Sequence, residues 1–252
     1  MSRTPPPGPG AAGDPAAVPD HTTGPGGLVV PYGPDGDDVP VLSVYEDPRC
    51  PYCAAMERSS DAAIRAFADD GRLRLEYHFG TFLDASLGGR SSRLALGALG
   101  AAADEGRTVF KGLHEALYAN QPAESDDAYG DTAHLLVDAG TVAGLPSEAF
   151  KQAVGDRTCL PWAAAVADAF DRSGVRGTPS LRLNGRSLHA FDKEDRALPG
   201  PEAARQIEQA LSPAARSEEA DGRLSVPGDR LLYEYSRGFT RICDERKHHD
   251  HH

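Results

Sequence analysis

From Val39 to Glu46 the chain reads VPVLSVYE, nearly continuous in apolar residues, and such a run predicts a strand buried on both faces. The preceding GLVVPYG predicts a shorter strand. Beyond it, Met56, Ser60, Ala63, Ile64 and Phe67 recur at offsets of four, seven, eight and eleven, which is one face of an α-helix. The rhythm then turns to strict alternation in LRLEYHF, where Leu73, Leu75, Tyr77 and Phe79 share one side of a strand. A strand, a helix and a second strand are therefore complete by Phe79, and the two strands should run parallel with a right-handed crossover.

After residue 88 the pattern is helical for a long stretch. Ala/Leu-rich segments at 91–104, 107–119, 131–139, 147–154 and 160–173 end at stops such as Gly140 and Gly174. The block occupies about 88–174. TPSLRLNGRSLHA then predicts a hairpin around Asn184-Gly185, because both turn positions tolerate positive φ. PEAARQIEQAL follows as a helix, with Ala203, Ala204, Ile207, Ala210 and Leu211 on one face. The order β, α, β, helical block, β, β, α is that of an α/β, thioredoxin-like sheet carrying an inserted helical subdomain. Residues 1–26 are rich in Pro, Gly and Ala and are expected to be a disordered leader, with the folded domain at 27–211. Residues 212–252 form a polar tail with one candidate strand, RLLYEYS, and a His-rich end.

Composition narrows the function classes. At 252 residues, 40% of them hydrophobic, the chain can bury a sizeable core. Its net charge of −12 repels phosphate backbones and anionic lipid, so neither nucleic acid nor a membrane is expected as a partner. No stretch approaches the roughly 20 apolar residues that span a bilayer, and the first 26 residues hold no apolar segment of the kind that directs export. A cytoplasmic location is expected, where thiols stay mostly reduced and a close cysteine pair points to redox catalysis or metal binding.

That pair lies in DPRCPYCAAM, where the buried strand hands over to the helix. A redox pair needs an accessible first thiolate and a second thiol close enough to resolve the mixed disulfide. The helix N-terminus, with its unpaired N–H groups, favours the Cys50 thiolate, and Arg49 adds a nearby positive charge. Pro51 suits the first helical position because it has no N–H to leave unpaired. Cys53 lies one turn in, so Cys50 is the candidate nucleophile and Cys53 the resolving thiol. Thr178-Pro179 opens the strand before the hairpin, and a cis bond there would turn the Thr178 N–H and C=O outward for an extended substrate.

C-P-Y-C on a strand-to-helix turn, the helical block from SSRLALGALG to NQPAE, and GVRGTPSLRLNG together resemble the DsbA family of thioredoxin-fold thiol-disulfide oxidoreductases, over about Leu28 to Leu211. The resemblance implies that Cys50 and Cys53 are the redox pair and that Pro179 is the family's cis proline, with Thr178 before it. Many thioredoxin-fold enzymes carry a buried acid six residues before the first cysteine; Val44 stands there in this chain, which leaves Asp47 or Glu46 as the carboxylate available to deprotonate the resolving thiol. Tyr52 either packs beside substrate or fills the dipeptide that tunes the redox potential.

The expected partners are a disulfide- or thiol-containing protein or small molecule and a redox recycling partner that the sequence does not identify. No organic cofactor is called for and no catalytic metal is expected. Competing readings are a glutaredoxin-like reductase, since Pro-Tyr between the cysteines is typical of glutaredoxins, and a non-catalytic thioredoxin-fold binding or metal-binding protein. Cys159 reads as a small buried hydrophobe, Cys243 as a bystander, His114 as a satisfied structural histidine and Trp162 as packing in the helical block. HHDHH, from His248 to His252, reads as a solvated tail able to chelate cations.

Overall fold

The computed structural model describes residues 18–212. The candidate strand RLLYEYS, Cys243 and the His-rich end lie outside the described residues, as does the first part of the expected leader.

Five strands form one mixed sheet in the order β1-β3-β2-β4-β5. At its centre β2 (Val41–Glu46) runs parallel to β3 (Arg74–Phe79), with Val44 opposite Tyr77. On its other side β2 pairs antiparallel with β4 (Ser180–Leu183), which sets Val44 opposite Leu181 and Tyr45 opposite Ser180. The short β1 (Val30–Tyr32) closes one edge against β3, and β5 (Arg186–Leu188) closes the other as a hairpin on β4. The hairpin turn is Asn184-Gly185, with φ of 49° and 87°, the left-handed pair such a two-residue turn demands. The run of apolar residues in β2 reflects its central place: Leu42 and Val44 join the main core, while Tyr45 packs with Phe170 and Val175 on the opposite face.

After β2 the chain enters α1 (Pro51–Met56), passes through a π-helical turn at Glu57–Asp61 and continues as α2 (Ala62–Asp69). The expected apolar face is present, but the wider π turn interrupts its spacing and turns Asp61 and the Glu57 side chain into the interior. The inserted block comprises α3 (Phe82–Leu87), α4 (Ser91–Glu105), α5 (Arg107–Ala119), α6 (Thr132–Ala139), α7 (Glu148–Asp156) and α8 (Leu160–Arg172); α9 (Gly200–Leu211) then packs on α2. α4 is buried on nearly every side, which explains its Ala- and Gly-rich sequence. A Cβ at Gly100 would stand 2.7 Å from the Trp162 ring and one at Gly97 3.0 Å from Leu160, so glycine lets α8 approach α4 closely. The donors at the start of α4 are met from outside the helix: Asp127 accepts from the Arg90 and Ser91 N–H groups, and Asp84 from those of Ser92 and Arg93.

The boundary of the folded part is earlier than the one expected at residue 26. Thr23 and Val29 exchange backbone hydrogen bonds of 2.8 and 3.1 Å, Asp20 donates its N–H to Asp104, and the Trp162 indole donates to the Gly27 carbonyl at 2.8 Å. Composition missed this segment because it is held by polar contacts to the insertion rather than by large apolar side chains of its own. Among the described residues no helix is long and apolar enough to cross a membrane.

Candidate active site

The site forms where β2 ends. Its last residue is Glu46, and the turn that follows closes with the Cys50 N–H donating to the Asp47 carbonyl at 2.9 Å. Cys50 is then the extended residue capping α1, with Pro51 as the first helical residue. Because Tyr45 stands opposite Ser180, the turn ahead of β4 is brought over the same spot, and the Thr178-Pro179 bond is cis. The Cys50 sulfur lies 3.5 Å from the Thr178 carbonyl oxygen.

Cys50 and Cys53 are free thiols, and both are closed off, with 1% and 0% of their surface exposed. An accessible Cys50 was expected. The Thr178 carbonyl covers it instead, the Gln121 amide clasps the carbonyls of Pro48 and Cys50 at 2.9 and 3.0 Å, and Leu83 and Tyr118 pack around the pair. The same contact corrects the expected orientation of residue 178, whose carbonyl faces the sulfur rather than solvent. Tyr52 is half-buried at the rim, edge-on to Phe191 with ring centres 5.6 Å apart.

Arg49 does not direct its charge at Cys50. Its guanidinium donates to the carbonyls of Glu124 and Gly88 at 2.7 and 2.6 Å and lies 3.6 Å from the Asp84 carboxylate. Carbonyl oxygens and a carboxylate satisfy an arginine fork better than a thiol can, so this residue ties the cysteine turn to the insertion. Asp47 plays a related part: its carboxylate accepts from the Arg49 and Leu83 N–H groups and from the Ser92 hydroxyl at 2.6 Å. Burial pushes that carboxyl up to about 6 against the pull of these donors. Val44 is buried in the apolar core.

Behind Cys53 lies a buried polar cluster. The Glu46 Oε2 atom is 2.7 Å from His114 Nε2, and His114 Nδ1 is 3.2 Å from the Lys111 ammonium, which donates to Asp61 at 2.8 Å and lies 3.5 Å from Glu57. Burial pushes the Glu46 carboxyl up to about 8 and the His114 imidazole down to about 4, the latter helped by the Lys111 charge. Burial also opposes charge on Lys111, but its anionic neighbours outweigh that and hold it protonated. The Cys53 thiol is pushed well up, first by burial, then by Cys50 and by Glu46. His114 is hydrogen-bonded, as the sequence suggested, but it belongs to a network whose other members, Glu57, Asp61, Lys111 and Tyr118, were not anticipated. Donor atoms of Glu46, Glu57 and His114 lie within 4.8 Å of one another; the Lys111 ammonium already supplies the positive charge that a cation would bring to them.

Residues 37–198 match the family model described as thioredoxin. The chain is 31% identical over 210 residues to the Na(+)/H(+) antiporter NhaA 3 of Salinispora tropica, a match covering 81% of this chain and 28% of that protein. The chain thus spans little more than a quarter of that relative. Among solved structures it resembles the MdbA thiol-disulfide oxidoreductase of Actinomyces oris, with a TM-score of 0.60 and 22% identity over 75% of this chain and 88% of that one. It also resembles reduced DsbA of Mycobacterium tuberculosis, with a TM-score of 0.58 and 24% identity over 83% of this chain and 100% of that one. These two likenesses bear on the fold, a thioredoxin sheet with the DsbA type of helical insertion.

Proposed function

The chain belongs to the thioredoxin family, and from that premise we propose that it is a thiol-disulfide oxidoreductase working through Cys50 and Cys53. The observation that carries the reading is the Cys50 sulfur set 3.5 Å from the carbonyl of Thr178, beside a cis proline that opens a strand. In the reductive direction the Cys50 thiolate attacks a substrate disulfide, forming a mixed disulfide and expelling one substrate thiolate. Cys53 then gives its proton to a base, attacks the Cys50 sulfur and expels the second substrate thiolate, leaving the Cys50–Cys53 disulfide. The reverse sequence oxidises a dithiol substrate.

Glu46 is the base this reading favours for Cys53, because its charge acts on the buried thiol and burial pushes its carboxyl up to about 8. Asp47, the other carboxylate weighed from the sequence, has its oxygens committed to Arg49, Leu83 and Ser92. Attack by Cys50 requires the groups that cover it to yield, and an incoming extended segment pairing with the backbone at residues 178–179 would displace them. The substrate is a protein or small molecule bearing a disulfide or thiol pair, recycled by a separate redox partner.

Cys50→Ser should abolish catalysed disulfide exchange, and Cys53→Ser should accumulate mixed disulfides visible by intact mass; full exchange by the Cys50→Ser protein would overturn the reading. A glutathione-dependence assay separates it from a glutaredoxin-like activity. A cytoplasmic setting is part of the proposal, checked by fractionation of cells that contain the protein.

A further inference from the structure

We propose that His114 and Lys111 form a positioning dyad for Glu46, fixing one carboxylate oxygen so that the other is the proton acceptor for Cys53. The inference rests on the thiol-disulfide reading. His114 Nδ1 lies 3.2 Å from the Lys111 ammonium and 3.4 Å from Glu57 Oε2; the ammonium only donates and burial keeps Glu57 protonated, so Nδ1 is the acceptor and the imidazole proton sits on Nε2. That N–H donates to Glu46 Oε2 at 2.7 Å. The second Glu46 oxygen, Oε1, is buried without a hydrogen-bond partner, an uncommon arrangement for an interior carboxyl. The Tyr118 hydroxyl, also buried and lacking a well-formed hydrogen bond, packs against the cysteine pair beside it.

Against burial, the Glu46 anion is favoured first by Glu57, then by the Lys111 charge and by Tyr118, while His114 fixes the Oε2 atom. From the α1 side it faces Cys53; from the π turn it faces Asp61, whose charge opposes the anion, and Glu57, which burial keeps protonated and which favours the anion. From α5 come Lys111, His114 and Tyr118, and from β3 the buried Tyr77, whose ring centre lies 4.6 Å from that of His114 at a tilt of 56°. Asp61 holds the Lys111 ammonium in place at 2.8 Å. When the Cys53 S–H bond breaks, the proton passes to Glu46 Oε1 and the sulfur keeps the electron pair for attack on Cys50; no proton needs to leave the dyad.

The test is a carboxyl ¹³C NMR titration of the full chain, with Glu46 assigned through Glu46→Gln. His114→Phe should raise the Glu46 titration midpoint by about 1 on the pH scale or more, the value of a lost charge-assisted hydrogen bond. His114→Gln, whose amide still donates, should restore most of it. Should His114→Phe not fold, the double variant Lys111→Met with Asp61→Asn removes the charge as a neutral pair and should raise the midpoint too. Resolution of the mixed disulfide at pH 7 should slow about tenfold when the midpoint rises by about 1, whereas mixed-disulfide formation by Cys50 in a Cys53→Ser background should be unchanged. A Glu46 midpoint that stays put in folded variants overturns the dyad. Absence of exchange in the unaltered protein would instead overturn the thiol-disulfide reading, with the NMR result still deciding what positions Glu46.

Discussion

At the scale of single residues the site is built from groups held away from their ordinary ionisation. Glu46 in the folded chain keeps its proton up to about pH 8, against an ordinary value of 4.5, so the native state binds more protons than the unfolded one between those limits. Stability from this group is therefore present in full below 4.5 and is lost as pH rises through 8. His114 works the opposite way between 4 and 6.5, which leaves the interval from 6.5 to 8 to the buried carboxyls. Urea titrations across that interval should show stability falling by about 1.5 kcal/mol through Glu46, with Glu57 adding to the slope. Glu46→Gln should flatten its share of the decline, and an unchanged slope would mean that Glu46 is already ionised at neutrality. Cys50, Cys53 and Pro179 were legible in the sequence because their signals are local: four residues at a helix start, two at a strand start. The dyad was not, because Glu46 and His114 are 68 residues apart. A signal did exist, since Lys111, His114 and Tyr118 recur at helical spacing on the core face of α5, among Phe110, Leu113 and Leu117. Lys111 is also one of only four lysines in the chain.

At the scale of elements, periodicity recovered every strand of the sheet and the five longer helices of the insertion. α3 escaped because six residues give no repeat of an apolar face, and the π turn escaped because one added residue is invisible in an offset pattern that resumes after it. The close approach of α4 to α8 was not legible either, since a glycine inside a helix reads as a liability until its neighbour is known. Gly100→Val should cost about 1–3 kcal/mol by driving a side chain into the Trp162 ring, measured as a lowered urea midpoint with unchanged slope. Trp162→Phe keeps most of the packing but removes the hydrogen bond to Gly27; it should cost about 1 kcal/mol and raise amide exchange in residues 18–29 before any part of the insertion. Uniform exchange throughout would show that this contact does not anchor the segment.

Across the whole molecule, the sheet and the insertion meet at the cysteine turn through two side chains that the sequence assigned to chemistry. Arg49 spans Gly88, Glu124 and Asp84, and Asp47 spans Leu83 and Ser92, so the turn that carries Cys50 is bolted to three parts of the insertion. Arg49→Met should cost about 3 kcal/mol by leaving Asp84 without its buried partner, and calorimetry should show the insertion unfolding ahead of the sheet. A single transition of unchanged cooperativity would argue that other contacts couple the two. The closure of the pair has a different kind of consequence. Over-oxidation of a cysteine follows access as well as thiolate character, and the Cys50 sulfur rests beneath a carbonyl with 1% of the residue's surface open. Hydrogen peroxide should thus leave the idle dithiol free of sulfinic and sulfonic acid, while a Gln121→Ala protein, with the clasp over Cys50 removed, should gain oxygen mass at that residue.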